Sequence, residues 1–231
     1  AGVDTSRVLM ACEQGSAAYM ALLSAQGGLL IGIDDTAAVA ALTPTYVTEH
    51  AALLAGARMG VIDANLPLET AQALLALCQA AAVPVALEPV AYAPALRYRE
   101  LIGSFYLATP NAVEAQALTG LPVAGAQQAA VAAKRLIAEG LTIAIITLGA
   151  EGLVYATANA SGYVPALQVE VADPTGAGDA LAGAVVYALL NDIPVDEAVR
   201  LGVSAATLTL DSPDTVCQDL RLESLYAQLV I

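Results

Sequence analysis

The sequence predicts an α/β fold: a mostly parallel sheet with helices on both faces. Two observations carry this. From about residue 59 onward, short β-branched apolar runs alternate with helical patterns, which is the signature of repeated βα units. Every polar, glycine-containing motif falls just after one of those runs, where sheets of this class bind ligands. The 231 residues suit one large domain, and 58% are hydrophobic, with alanine far outnumbering aromatics, so the core is built from small side chains.

The elements follow in order. Ala17 to Leu23 and Leu29 to Ile33 read as two strands of a hairpin around Ser24-Ala25-Gln26-Gly27-Gly28. Thr43 caps a helix with Pro44 at its first position, running to about Ala55. His50, the single histidine, falls on that helix. Met59 to Asp63 is a strand, Pro67 to Ala82 a helix with Leu68, Ala71, Leu74, Leu75 and Cys78 on one face, and Val83 to Leu87 a strand. Ala93 to Ile102 is helical, Ser104 to Ala108 a strand, Asn111 to Leu118 a helix after Pro110, and Ala126 to Ala138 a helix closed by Gly140. Thr142 to Thr147 is a strand, and Gly152 to Thr157 with Tyr163 to Val169 form an antiparallel edge. Helices over 177–190, 195–208 and 222–229 finish the chain.

Charge and composition narrow the function. Eight Lys plus Arg against 22 Asp plus Glu leave a net charge of −14, which excludes the basic face that nucleic-acid binding needs. Any phosphate must be met by backbone amides and divalent metal. No apolar run reaches the length of a membrane span, and no secretory leader opens the chain. Cys12, Cys78 and Cys217 are far apart, lack metal-ligand spacing and read as free thiols of a cytoplasmic protein.

The stretch with the most chemistry is Asp173-Pro174-Thr175-Gly176-Ala177-Gly178-Asp179, which runs into an apolar helix. The glycines permit positive φ and close backbone approach, and the helix start aims unpaired N–H groups and a positive dipole end at the turn. Such a terminus binds phosphate. Asp179 would repel that phosphate unless it has its own task, and a carboxylate there is placed to take a proton from a hydroxyl attacking phosphorus. Thr109-Pro110-Asn111-Ala112-Val113-Glu114 follows a strand and starts a helix. Asn111 and Glu114 stand one turn apart, and their oxygens suit Mg²⁺ or its waters as well as a plain helix start. Thr147-Leu148-Gly149-Ala150-Glu151-Gly152 is a glycine turn between two strands.

Together these segments resemble the ribokinase-like (PfkB) carbohydrate kinases: their Asp-x-Thr-Gly-Ala-Gly-Asp signature, Asn-x-x-Glu motif and Thr-x-Gly-x-x-Gly segment all match, in order. The resemblance implies a ribokinase-like three-layer α/β/α fold whose small β-lid corresponds to residues 14–35. It also implies transfer of phosphoryl from ATP to a hydroxymethyl group of a sugar or nucleoside. Asp179 inherits the role of catalytic base. Gly176, Ala177 and Gly178 inherit the anion hole, and Asn111 and Glu114 the handling of Mg²⁺. Nucleotide contacts fall on Thr147, Gly149, Gly152 and Thr175, with Ser204 and Ser212 near adenine. A monovalent cation and a homodimer are further expectations from the family.

Asp63-Ala64-Asn65-Leu66-Pro67 and Leu208-Thr209-Leu210-Asp211-Ser212-Pro213-Asp214-Thr215-Val216 resemble segments of the pseudouridine kinase-like branch, making pseudouridine the best single acceptor. A hydroxymethyl-pyrimidine kinase on the same fold and a non-catalytic or truncated ligand-binding relative are the alternatives. Glu88-Pro89 stands where relatives often carry Asp-Pro. Ala1-Gly2-Val3-Asp4-Thr5-Ser6 resembles a point well inside the family fold, so about seventy family residues, including a sugar-binding Gly-Gly-x-x-x-Asn segment, have no counterpart here.

Overall fold

The computed structural model describes residues 2–11, 15–23 and 29–229. The chain first forms a two-stranded antiparallel sheet, β1 (Ala18–Leu23) and β2 (Leu29–Asp35), in register from Ala18 opposite Asp35. The expected hairpin loop, residues 24–28, and residue 14 at the start of the expected lid lie outside the described residues. Both strands leave large apolar side chains in solvent: Tyr19, Met20, Leu22, Leu30, Ile31 and Ile33.

α1 (Pro44–Glu49) starts as its cap predicts, with the Thr43 hydroxyl accepting from the Tyr46 N–H at 3.2 Å. It ends earlier than the expected Ala55. At His50 the backbone N–H turns back to the Thr48 and Tyr46 carbonyls, the ring stacks on Tyr46 at 4.2 Å, and Ala51–Leu54 continues as a 3₁₀ turn.

The main sheet has six strands in the order β3 (Gly60–Asp63), β4 (Val85–Glu88), β5 (Leu107–Ala108), β6 (Ile143–Thr147), β7 (Leu153–Ala156) and β8 (Ser161–Val164). The first four are parallel and the last two antiparallel, as the glycine turn at 149–152 predicts. Among the described residues β3 has β4 as its sole neighbour. β5 is shorter than expected because residues 99–104 are wound into a 3₁₀ turn and Pro110 follows closely. β8 stops at Val164 because Pro165 has no N–H to continue the ladder.

Helices cover both faces. α2 (Leu68–Ala80), α3 (Tyr92–Tyr98), α4 (Ala112–Thr119) and α5 (Ala126–Ala138) bury Ile62, Leu87, Ala108, Ala144, Ile146 and Val154 on one side. α6 (Ala177–Leu190) and α7 (Val195–Leu210) bury the alternate residues Ala86, Leu107, Ile143, Ile145 and Leu153 on the other, with Leu181, Val185, Val199 and Val203. This division by strand period is what a sheet buried on both faces requires. α8 (Leu222–Leu229) packs outside α7 through Leu225. The aromatic-poor core closes through small residues: a Cβ at Gly202 of α7 would meet the Val185 Cγ2 of α6 at 2.9 Å.

α7 runs two residues beyond its expected end. The hydroxyls of Thr207 and Thr209 donate to the Val203 and Ala205 carbonyls one turn back, at 2.8 and 3.0 Å, so these two polar side chains are satisfied inside the helix.

Candidate active site

The carboxyl ends of the four parallel strands place the polar residues in a row. Asp63 ends β3 and is paired in register with Glu88, which ends β4. Thr109 follows β5, and its hydroxyl donates to Glu88 Oε2 at 2.6 Å. Two residues on, Asn111 makes an isolated parallel bridge to Thr147 at the end of β6. Asn111, Thr147, Leu148 and Gly149 line a cleft of about 380 Å³ together with Val123, Gly125 and Glu151. The two motifs at 111–114 and 147–152 therefore share one wall.

Asn111 and Glu114 build a capping box on α4. The Asn111 Oδ1 accepts from the N–H groups of Val113 and Glu114 at 2.9 and 3.0 Å. Glu114 accepts in return from the Asn111 N–H at 2.9 Å and from its side-chain amide at 2.6 Å. The helix-start reading of this segment is thus realised, and Glu114 is 96% buried while making it, being only 4% exposed. Burial pushes its carboxyl pKa up, against the opposing hydrogen bonds from Asn111.

Glu88 is the electrostatic centre of the row. Burial pushes its pKa up to about 8, the Thr109 hydrogen bond opposes this, and the charges of Glu114, Asp179 and Asp63 push it further up. Asp179, exposed on the first turn of α6, is raised as well, by partial desolvation first and by the Asp63 charge second. Three acidic side chains, Glu114, Asp179 and Asp63, thus act on Glu88, and among the described residues none of the four is ion-paired to a lysine or arginine. Among the described residues no three acidic, histidine or cysteine side chains are grouped to chelate a metal directly. Each Glu114 oxygen accepts one hydrogen bond and keeps a lone pair, so the donor set fits a hydrated divalent cation better than a bare one.

The glycine turn before α6 takes the conformation its sequence demands. Gly176 is the N-cap at φ +85°, and an added Cβ would collide with the Thr215 carbonyl. The first helical bond runs from the Ala180 N–H to the Gly176 carbonyl, so the N–H groups of Ala177, Gly178 and Asp179 precede the intrahelical ladder. Space around Gly178 is open. Asp173 closes an Asx turn by accepting the Thr175 N–H at 2.8 Å, which holds its carboxyl below the usual range.

The remaining expected contacts divide. Gly149 sits at φ +58° with open space around it, as a ligand-facing turn needs, whereas Gly152 at φ +103° is pressed against Val164–Ala166, a packing role. Ser212 follows α7 and its hydroxyl accepts the Asp214 N–H at 3.1 Å. Ser204 is fully buried in α7 with its Oγ unpartnered, so it offers no surface to a base. Glu88 and Thr109 were not among the expected functional residues. Glu88 was marked in the sequence by the Glu88-Pro89 pair where relatives carry Asp-Pro, and Thr109 by opening the segment that runs to Glu114, but neither was given a role.

Residues 1–219 match the pfkB family carbohydrate kinase. The chain belongs to that family. Among its pfkB relatives, a pseudouridine kinase of Escherichia coli (strain K12) is 26% identical over 227 residues, 98% of this chain and 72% of that protein. A ribokinase of Haemophilus influenzae is 29% identical over 212 residues, 90% of this chain and 67% of that one. Among solved structures, a carbohydrate kinase from Agrobacterium tumefaciens superposes with a TM-score of 0.77 at 29% identity, covering 94% of this chain and 69% of that one. This pfkB chain is thus a sugar or nucleoside kinase by family, with the ribokinase-like α/β fold and the small N-terminal antiparallel sheet that the sequence predicts. No helix among its described residues is long and apolar enough to cross a membrane.

Proposed function

We propose that the protein transfers the γ-phosphoryl group of ATP to a primary hydroxyl of a nucleoside, with pseudouridine as the preferred acceptor. The observation that carries this reading is the pairing of Asp179 with the glycine turn. A carboxylate with a raised pKa stands on the first turn of α6, immediately beside N–H groups that have no intrahelical acceptor.

Asp179 accepts the proton of the acceptor hydroxyl as that oxygen attacks phosphorus, and its raised pKa brings it nearer the working pH of a general base. The amides of Gly176, Ala177 and Gly178 receive charge on the transferred group. Thr147, Gly149 and Thr175 contact the nucleotide phosphates, and the loop at Ser212 approaches adenine. Glu114, oriented by the Asn111 amide, would hold Mg²⁺ through its waters. When bound, the cation neutralises phosphate charge that this chain's eight cationic side chains do not. The acceptor lies toward β3, at the end of the strand row opposite the nucleotide residues Thr147 and Gly149. The exposed apolar strands β1 and β2 support a homodimer formed through that sheet.

Support for the nucleoside comes from the segments at 63–67 and 208–216 and from the pseudouridine kinase relative. The ribokinase relative keeps a free pentose as the second reading. Incubation with ATP, Mg²⁺ and a panel of pseudouridine, adenosine, ribose and fructose, read as ADP release, tests both. The expected outcome is the highest kcat/KM on pseudouridine. A higher value on a free sugar refutes the nucleoside assignment.

A further inference from the structure

The loop joining β3 to α2 is gripped from outside by two consecutive residues of α3. The Arg97 guanidinium donates to the Ala64 carbonyl at 3.3 Å, and the Tyr98 hydroxyl donates to the Leu66 carbonyl at 2.7 Å. Tyr98 is fully buried, its ring tilted against Phe105 at 6.3 Å between centroids, so its hydroxyl has a single fixed position. The loop's own bonds complete its shape. Asp63 Oδ1 accepts the Asn65 N–H at 2.7 Å, the Leu66 N–H reaches the Asp63 carbonyl at 3.0 Å, and the Ala64 N–H reaches the Glu88 carbonyl at 2.9 Å.

What this loop borders gives the grip its meaning. It starts at Asp63, which ends β3 in register with Glu88 on the carboxyl edge where parallel sheets bind ligands. With the nucleotide residues Thr147 and Gly149 after β6, residues 63–67 form the wall at the other end of that row, where the acceptor lies. β3 is hydrogen-bonded to β4, which joins this wall to Glu88. The two side-chain donors from α3 supply the second anchor, and α3 in turn starts a few residues after Glu88.

We propose that Arg97 and Tyr98 are positioning residues for the acceptor: by holding the Ala64 and Leu66 carbonyls they set the 63–67 wall against which the acceptor hydroxyl meets Asp179. The inference rests on the reading of Asp179 as the base. It assigns the acceptor's fit to side chains that do not touch it and sit on a different βα unit.

The test uses Tyr98→Phe, Arg97→Ala and Arg97→Lys in the full chain. Loss of one such bond raises the acceptor KM roughly threefold to tenfold in Tyr98→Phe and in Arg97→Ala, while the ATP KM stays within about twofold. Arg97→Lys restores most of the loss, because an ammonium still donates to a carbonyl. A merely structural role would lower thermal stability and move both KM values together, and that result overturns the proposal, as does an unchanged acceptor KM. Amide hydrogen exchange at residues 64–66 gives a readout independent of turnover: protection falls in Tyr98→Phe and Arg97→Ala. If the wild-type chain phosphorylates none of the acceptors, the functional reading fails. Unchanged protection in both variants refutes the clamp itself.

Discussion

Glu88→Gln is the substitution through which the strand-end electrostatics can be measured directly. The Glu88 carboxyl titrates near 4.5 when free and near 8 in the folded protein. Between those values the folded chain keeps a proton that the unfolded chain has lost. Stability from this group is therefore complete below pH 4.5 and is lost progressively as pH rises through the folded value of about 8. At about 1.36 kcal/mol per unit, moving from pH 6 to pH 9 removes roughly 2.7 kcal/mol through this one residue. Glutamine keeps the shape and an oxygen to accept the Thr109 hydroxyl, and carries no charge to expose. Urea unfolding of both proteins at pH 6 and pH 9 is the assay. The wild type should lose about 2–3 kcal/mol more than the variant over that interval. Parallel losses in the two proteins would refute the claim that Glu88 is held protonated by burial and by its three acidic neighbours.

Other expectations concern the reaction itself. Asp179→Asn should lower kcat by roughly 10²- to 10⁴-fold with ATP affinity unchanged or improved, and near wild-type turnover in that variant would remove Asp179 as the base. Activity should vanish with chelator, and Glu114→Gln should raise the Mg²⁺ concentration for half-maximal rate by about tenfold; an unchanged requirement would take Glu114 out of the metal's surroundings. Gly176→Ala places a side chain where φ is +85° and the Thr215 carbonyl leaves no room. The left-handed conformation alone costs about 1–2 kcal/mol, so the turn must shift, and kcat should fall at least about tenfold with a smaller change in acceptor KM. Retention of full kcat would show that the turn does not hold the anion hole.

Local chemistry made most of the fold readable before the structure. Gly140 ends its helix at positive φ as expected, and residues 126–138, 177–190 and 222–229 are helical as their periodicity predicts. Boundaries shifted where the backbone tightened locally, as at His50, whose N–H reaches the Thr48 carbonyl as well as that of Tyr46, or where tight packing reshaped the backbone. Gly103 is an example: its backbone lies against the Glu139 carbonyl, and residues 99–104 wind more tightly than an α-helix to bring it there. The candidate site was legible wherever a motif is contiguous, at 111–114, 147–152 and 173–179. It was not legible where the partners come from separate strands. The Glu88–Thr109 bond joins residues 21 positions apart, and nothing in either segment names the other. The burial of Ser204 is of the same kind, since a serine among alanines on a helix carries no mark of which way it faces.

The order of the strands gives the row at their ends a direction. Asp63, Glu88, Thr109 and Thr147 stand on four neighbouring parallel strands, so about 14 Å separates the first from the last at the usual strand spacing. On the proposed assignment this is a track with the acceptor at one terminus and the nucleotide at the other. The nucleotide end, β6, pairs with β5 and β7, and at the acceptor end two side chains of α3 hold the loop that follows β3. On the same assignment, substitutions in the loop after β3 act on the choice of alcohol, and substitutions after β6 act on the nucleotide.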